Sequence, residues 1–307
     1  MHLVMASERL AAALGRPLAV FGTLITKLLA SGHAPRSLRK HAFTGSEVFI
    51  ATYSKSGTNW AIQLALQTAH RGAAEFGHVF EEVPWPEGLP TNRSISLAQA
   101  CASPRSPTGK VIVKTHLPAS AVPYDPRAAY ITVIRDPKEV AVSAYHFMVG
   151  MVGYLDIVDF DEWYRRFVYD AALLEGWAGH TASYWAMRER ANVLVLTYSD
   201  MKADLDGCAR RFAEVMGVEL SEAEHAEVVR RAGFEHMKAN DAQFAPPLLP
   251  LRRDRPLPAM VRRGVAGRSD ELLSPERQRE LDAWCEARLR ELGSDFPYAE
   301  RFASEPR

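Results

Sequence analysis

Cysteine is scarce in this chain: three residues, Cys101, Cys208 and Cys285, stand far apart and in no repeating spacing. They offer neither a zinc ligand set nor a disulfide framework, and the expected setting is a reducing cytoplasm. None has the context of a catalytic thiol. An excess of charge of one sign is also missing, because 37 basic residues face 37 acidic ones for a formal net charge of zero. That excludes a general nucleic-acid binder while leaving room for a local basic pocket. No group of residues has metal-ligand spacing, so no metal is expected. Long hydrophobic runs are absent as well. The apolar stretch 10–30 is interrupted by Arg16, Pro17 and Lys27, too often for the about 20 residues that span a bilayer. No cleavage site of small residues follows it. It reads as a helix that packs on the domain or covers a pocket, with weak contact to a membrane surface as the sharper alternative. The expected division is therefore an apolar helical segment over 1–44 and one domain over 45–307, a size that suits a single large core.

What is present is concentrated at Thr52–Trp60, reading Thr-Tyr-Ser-Lys-Ser-Gly-Thr-Asn-Trp. An apolar strand pattern from Val48 runs into it, and a helical pattern from Trp60 runs out. Lys55, Ser56, Gly57 and Thr58 have the composition of an anion cradle. Gly57 lets backbone approach a ligand, the following helix presents unpaired amides and its positive dipole end, and Lys55 adds a full charge. The competing reading is that Ser56 or Thr58 merely caps the helix. A Walker A loop is excluded, since the lysine precedes the glycine and no partner glycine stands upstream.

Runs rich in β-branched and aromatic residues predict strands at Val48–Tyr53, Val111–His116, Tyr130–Arg135 and Val193–Tyr198, alternating with helical periodicity. Loop composition marks Val83–Arg93, Ala102–Gly109 and Ala245–Pro258. Alternation of this kind predicts an α/β domain with a central parallel sheet flanked by helices, and ligands at the carboxyl ends of its strands. Those ends carry Lys55, Lys114 with His116, Arg135 and Tyr198, which predicts one composite site. Helix starts are signalled at Asp136-Pro137-Lys138-Glu139, Ser221–Glu224 and Ser274-Pro275-Glu276.

Lys114 and His116 are two apart on a strand and so share a face. A neighbouring cation disfavours a proton on the imidazole, which leaves His116 neutral and suited to act as a general base. Arg135 can grip a phosphate as a fork, or pair with a local acid such as Asp136.

Lys55-Ser-Gly-Thr, Lys114-Thr-His-Leu-Pro, Arg135-Asp-Pro-Lys-Glu-Val-Ala-Val-Ser143 with Ala-Tyr-His-Phe147 after it, Tyr198-Ser-Asp-Met-Lys202, Phe234-Glu-His-Met-Lys238 and Arg262-Arg-Gly-Val-Ala-Gly267 together resemble the ordered signature of the cytosolic sulfotransferase family. The resemblance runs from about Val48 to Gly267. It implies a P-loop-like sulfotransferase architecture and sulfonate transfer from 3′-phosphoadenosine 5′-phosphosulfate to a hydroxyl or amine of a small, apolar or aromatic acceptor, leaving adenosine 3′,5′-bisphosphate. It implies that Lys55, Ser56, Gly57, Thr58 and Asn59 hold the phosphosulfate, and that Arg135, Ser143, Arg262, Arg263 and Gly264 hold the 3′-phosphate. Trp60, Tyr198 and Phe234 enclose the adenine in the same scheme. His116 is then the base, assisted by Lys55 and Lys114, and Trp85 and Phe147 line the acceptor pocket with His116. Ser54 and Asn59 depart from the usual proline and threonine, and Ala232 stands where a hydroxyl residue often contacts adenine. No dimerisation segment is recognisable in Arg268–Arg279, so the oligomeric state stays open. The alternatives are a P-loop-type nucleotide kinase and a non-catalytic nucleotide-binding protein at a membrane surface.

Overall fold

Four short strands, each rich in Val, Ile, Leu, Phe, Tyr or Thr, form the frame: β1 (Glu47–Ala51), β2 (Val111–Thr115), β3 (Ala129–Ile134) and β4 (Val193–Thr197). The computed structural model describes residues 35–88, 91–151, 159–165, 173–245, 259–261, 267 and 269–303. The apolar stretch 10–30, all of the predicted loop Ala245–Pro258 but its first residue, and the motif residues Arg262, Arg263 and Gly264 lie outside the described residues. All pairings are parallel and the spatial order is β2-β1-β3-β4. The predicted strands are therefore found, each ending one or two residues early, so that Tyr53, His116, Arg135 and Tyr198 stand just past the ladder.

Every residue of β1 and β3 is buried, as expected of strands covered on both faces. Alternate side chains feed different cores. Val48, Ile50, Ala129, Ile131 and Val133 join one cluster with the principal helices α1 (Thr58–Ala69), α4 (Leu205–Met216) and α5 (Glu222–Ala232). Phe49 and Tyr130 point the other way and stack, with ring centroids 5.3 Å apart. A third cluster joins the end of β3 to α2 (Pro137–Met151), α3 (Leu173–Trp185) and α6 (Pro275–Glu291). No helix among the described residues is long and apolar enough to cross a membrane.

The connections reverse direction across β1: the chain moves outward to β2, then returns past β1 to β3. Such a reversal opens a crevice at the carboxyl ends of the central strands, and the Lys55 loop follows β1 directly into it.

The start of α2 is built differently from a reciprocal cap. Asp136 accepts from the Lys138 amide at 2.8 Å, but Glu139 turns toward Arg135, as described below. Lys138 is 2 % exposed, and its ammonium bonds Asp282 of α6 and, at 2.6 Å, the carbonyl of Phe302, with Asp136 at 3.3 Å. Tyr298 also donates to Asp282, at 2.7 Å. Burial pushes the Asp136 carboxyl up to about 6, against the opposing pull of Lys138. Lys138→Met would leave Asp136 and Asp282 without their cation, and breaking a buried pair costs about 3–5 kcal/mol. Urea unfolding of the variant is expected to show a loss of that size, and a loss below about 1 kcal/mol would contradict the clamp.

Candidate active site

The first element is the loop between β1 and α1. Thr52 and Thr58 bond hydroxyl to hydroxyl at 2.6 Å and close its two sides, and the Ser56 amide donates to Tyr53 O at 3.1 Å to form the turn. Two residues lie in the left-handed region, Gly57 at φ 94° and Lys55 at φ 67°. The second is unusual for a residue with a side chain. Arg135 holds it there by donating to the Lys55 carbonyl at 3.0 Å. The capping alternative fails, because Gly57 is the N-cap residue and no side chain caps α1. Thr58 is spent on Thr52, and the buried Ser56 hydroxyl has no partner among the described residues. The start of a 12-residue helix thus faces the crevice with its dipole uncompensated by a cap.

Lysines come from two elements. Lys55 sets its ammonium 3.9 Å from the ring centre of Phe147 on α2. Lys114, on β2, sits 3.8 Å from the Trp85 ring centre and 5.6 Å from that of Phe80. Trp85 and Phe147, predicted as acceptor walls, are thus also the platforms on which the two cations lie. Burial lowers Lys55 to about 7, helped by repulsion from Arg135 and Lys114. Burial likewise lowers Lys114 to about 8, with Glu87 pulling the other way. Both cations are short of counter-charge, as sites made for an anionic ligand are.

His116 follows β2. Its Nδ1–H donates to Thr52 O at 2.8 Å, which assigns the proton to Nδ1 and leaves the Nε2 lone pair as an acceptor. The ring also meets Trp85 edge-on at 5.5 Å. Its pKa falls to about 3, and the sequence-based cause needs correction: burial is the larger effect and the Lys114 cation the second. The outcome, a neutral imidazole, is the expected one.

Glu87 was not singled out by the sequence, although an acid in the apolar, proline-rich turn Val83-Pro-Trp-Pro-Glu87 is a usable signal. Its Oε1 accepts from the His116 amide at 2.6 Å, and burial raises its pKa. Lys114 N donates to Pro84 O at 2.9 Å, which ties this turn to the end of β2.

Arg135 pairs with Glu139 at 2.8 Å rather than with Asp136, and its guanidinium lies 4.5 Å from the Tyr198 ring centre. The other Glu139 oxygen accepts from the Gly267 amide. The last residue of the Arg262–Gly267 motif is therefore anchored beside Arg135. Asp241 accepts from Met260 N at 3.1 Å and Val261 N at 2.6 Å just before the motif. Trp60 meets Tyr198 edge-on at 5.3 Å and donates to Ala232 O at 2.8 Å, two residues before Phe234. So Trp60, Tyr198 and the Phe234 helix start converge on the same end of the sheet. Ser143 and Asn59 are half-buried.

Only one group among the described residues brings three metal-capable atoms together: His41, Glu47 and Cys101. It lies at the amino end of β1, away from Lys55. There Glu47 already accepts from His41 at 2.7 Å and from the amides of Thr44 and Gly45 at 3.0 and 2.9 Å, and burial first, then Glu47, raises the Cys101 thiol to about 12. It is a turn closed by a saturated carboxylate.

A Cβ at Gly57 would stand 2.9 Å from the Tyr198 ring, whereas at Gly109, also left-handed at φ 71°, it would meet nothing within 4 Å. A left-handed alanine costs about 1–2 kcal/mol at either position. Gly57→Ala is expected to destabilise more than Gly109→Ala in chemical denaturation. Equal losses would show that Tyr198 does not press on the cradle.

Comparison with known proteins agrees with this geometry. A family model described as the sulfotransferase domain matches residues 46–293. Bovine (Bos taurus) sulfotransferase 1A1 is 29% identical over 231 residues, covering 72% of this chain and 76% of that protein. The luciferin sulfotransferase of Photinus pyralis is 28% identical over 224 residues, 67% of this chain and 60% of that protein. Among solved structures, a retinol dehydratase in complex with retinol and PAP superposes with a TM-score of 0.65 at 22% identity, covering 85% of this chain and 86% of the other. A mouse sulfotransferase complexed with PAP gives 0.60 at 22% identity, covering 87% and 93%. These two likenesses speak for the fold, while the family model spans most of the chain and includes the cradle, both lysines and the histidine: the chain belongs to the sulfotransferase family.

Proposed function

We propose that this chain transfers a sulfonate group from 3′-phosphoadenosine 5′-phosphosulfate to the hydroxyl, or amine, of a small acceptor with an apolar or aromatic body, in the cytoplasm. The observation that carries the reading is the meeting of an uncapped helix start, two under-neutralised lysines and a neutral histidine at one end of the sheet. The residues fit the donor. The buried Ser56 hydroxyl lacks a partner among the described residues, Gly57 leaves the space a Cβ would fill against Tyr198, and burial lowers Lys55 and also Lys114, the latter against the pull of Glu87.

When bound, the donor supplies an activated sulfonate and a phosphate leaving group. Lys55, Ser56, Gly57, Thr58 and Asn59 would bind its phosphosulfate end. Arg135, Ser143 and the Arg262-Arg263-Gly264 segment would bind its 3′-phosphate, and Trp60, Tyr198 and Phe234 its adenine. In-line transfer needs no covalent enzyme species, so the work of these groups is alignment and charge stabilisation. His116 offers Nε2 to the acceptor hydroxyl because Thr52 occupies Nδ1. A base of pKa about 3 is weak, but an anion against Lys55 and Lys114 removes part of the repulsion that keeps a proton off it. Trp85 and Phe147 give the acceptor an apolar wall beside the base. Relatives named for luciferin and for retinol as ligands support a ring-bearing alcohol or phenol. A nucleotide kinase is not favoured, since the Walker order is missing.

A labelled-sulfonate transfer screen over alcohols, phenols and amines tests the reading. Product with any of them supports it, and binding of the bisphosphate without transfer to any acceptor would overturn it. His116→Ala is expected to keep bisphosphate affinity and to lose at least ~100-fold in kcat, the lower range for an acid–base group. Turnover near that of the wild type would remove His116 from the role of base.

The lowered lysines make ligand binding proton-linked. An anion favours the ammonium form, so adenosine 3′,5′-bisphosphate should bind best where both lysines are already charged, below pH about 7. As the pH rises through about 7 for Lys55 and about 8 for Lys114, binding must recruit protons. The affinity should fall by up to about tenfold per unit for each lysine. Calorimetry in two buffers of different ionisation enthalpy should then count proton uptake at pH 8.5, and zero uptake would contradict the assignment.

A further inference from the structure

A second histidine, His180 on α3, is more enclosed than the first, which is half-buried. It is 3 % exposed, its Nε2 has no hydrogen-bond partner among the described residues, and its ring lies 4.8 Å from that of Tyr184 and 5.9 Å from that of Tyr53. Both neighbours matter to His116. Tyr53 follows Thr52, whose carbonyl holds the His116 Nδ1–H. Tyr184 donates to the carbonyl of Leu117, the residue after His116, at 3.3 Å. One helical turn from His180, Ser183 accepts from the Ala119 amide at 3.0 Å while donating to His180 O at 2.8 Å. His180, Ser183 and Tyr184 are related by the three- and four-residue spacing that puts side chains on one helix face. That face therefore touches both chain segments from which His116 is held, the end of β1 and the turn after β2.

We propose that His180 is a positioning residue for His116, a ring wedged between Tyr53 and Tyr184 that keeps the Thr52 carbonyl and the 117–119 turn at the separation the base requires. This rests on the reading of His116 as the base. The His116 ring itself is half-buried, and α3 packs against the chain on both sides of it, at Tyr53 and at Leu117. Burial lowers His180 itself to about 3, so it stays neutral at physiological pH and adds no standing charge beside a base that must accept a proton. The other groups facing His116 are Lys114 of β2, Lys55 of the cradle and Glu87 at its amide, while Tyr53 and Tyr184 keep their protons because burial raises both.

Removing the wedge has a direction. His180→Ala leaves space beside Tyr53 and Tyr184, water reaches His116, and relief of desolvation, the largest cause of its lowering, moves its pKa from about 3 toward the ordinary value. The smaller repulsion from His180 itself is lost in every variant at this position. His180→Phe retains a ring of similar width and is expected to preserve the wild-type state. Histidine-ring NMR titration of the ligand-free protein reads this without any turnover, with the His116 signal assigned by its disappearance in His116→Gln. An upward shift of at least about one unit in His180→Ala, with His180→Phe close to wild type, supports the proposal. Equal titration in all three proteins overturns it, and so does a shift of the same size in both variants, which would assign the effect to the imidazole nitrogen instead. If sulfonate transfer is found, the acid limb of kcat/KM should move up in pH in the alanine variant alone, whereas a general loss of stability would lower activity at every pH. Should no transfer be found in the wild type, the NMR comparison still decides the wedge.

Discussion

The Arg135 guanidinium is the interaction on which the site depends. It donates to the carbonyl of Lys55 and so holds a residue with a side chain in the left-handed region, which turns the loop after β1 into the crevice. The same group pairs with Glu139 and lies over Tyr198. Through Glu139 it reaches the Gly267 amide. One side chain at the end of β3 therefore sets the cradle, steadies an aromatic wall and anchors the end of the arginine-rich motif. A cation with five fixed donors can do this, where a lysine at the same point could satisfy only one direction well.

Around that hub the chemistry follows from withholding water. Two lysines, a histidine and a carboxyl group meet at the strand ends with less counter-charge than they need. In water each would hold its usual protonation state. Here burial draws Lys55 and Lys114 down toward neutrality and keeps His116 unprotonated. The free protein stores this imbalance, with the ammonium groups laid on Phe147 and Trp85. An anionic ligand would relieve it, so that on the proposed reading ligand binding and the protonation of His116 are parts of one electrostatic arrangement.

Much of this was legible in the chain. The four strands were found because short β-branched runs buried on both faces leave few alternatives. The strand-end positions of Lys55, Lys114, His116 and Arg135 followed from period-two alternation and from the rule that ligands bind at the carboxyl ends of parallel strands. Less legible was every partner fixed by long-range packing. Glu139 had the spacing of a cap residue, yet it serves Arg135 and Gly267 because those groups are brought to it by β3 and the far end of the chain. Glu87 and His180 carried no motif, since their significance lies in contacts with His116 made across distant segments.

The sequence by itself determined the fold class, the order of the chemical groups along the strand ends and the kind of ligand they suit. Those properties are local: alternation, turn residues and the charge of single side chains. Tertiary structure alone decided which helix start remained uncapped, which acid Arg135 chose and which nitrogen of His116 is free. It also decided that burial, more than a neighbouring charge, keeps His116 neutral. Each of these depends on how far water is excluded and on which distant groups replace it, and neither quantity is written in a residue's immediate neighbours along the chain.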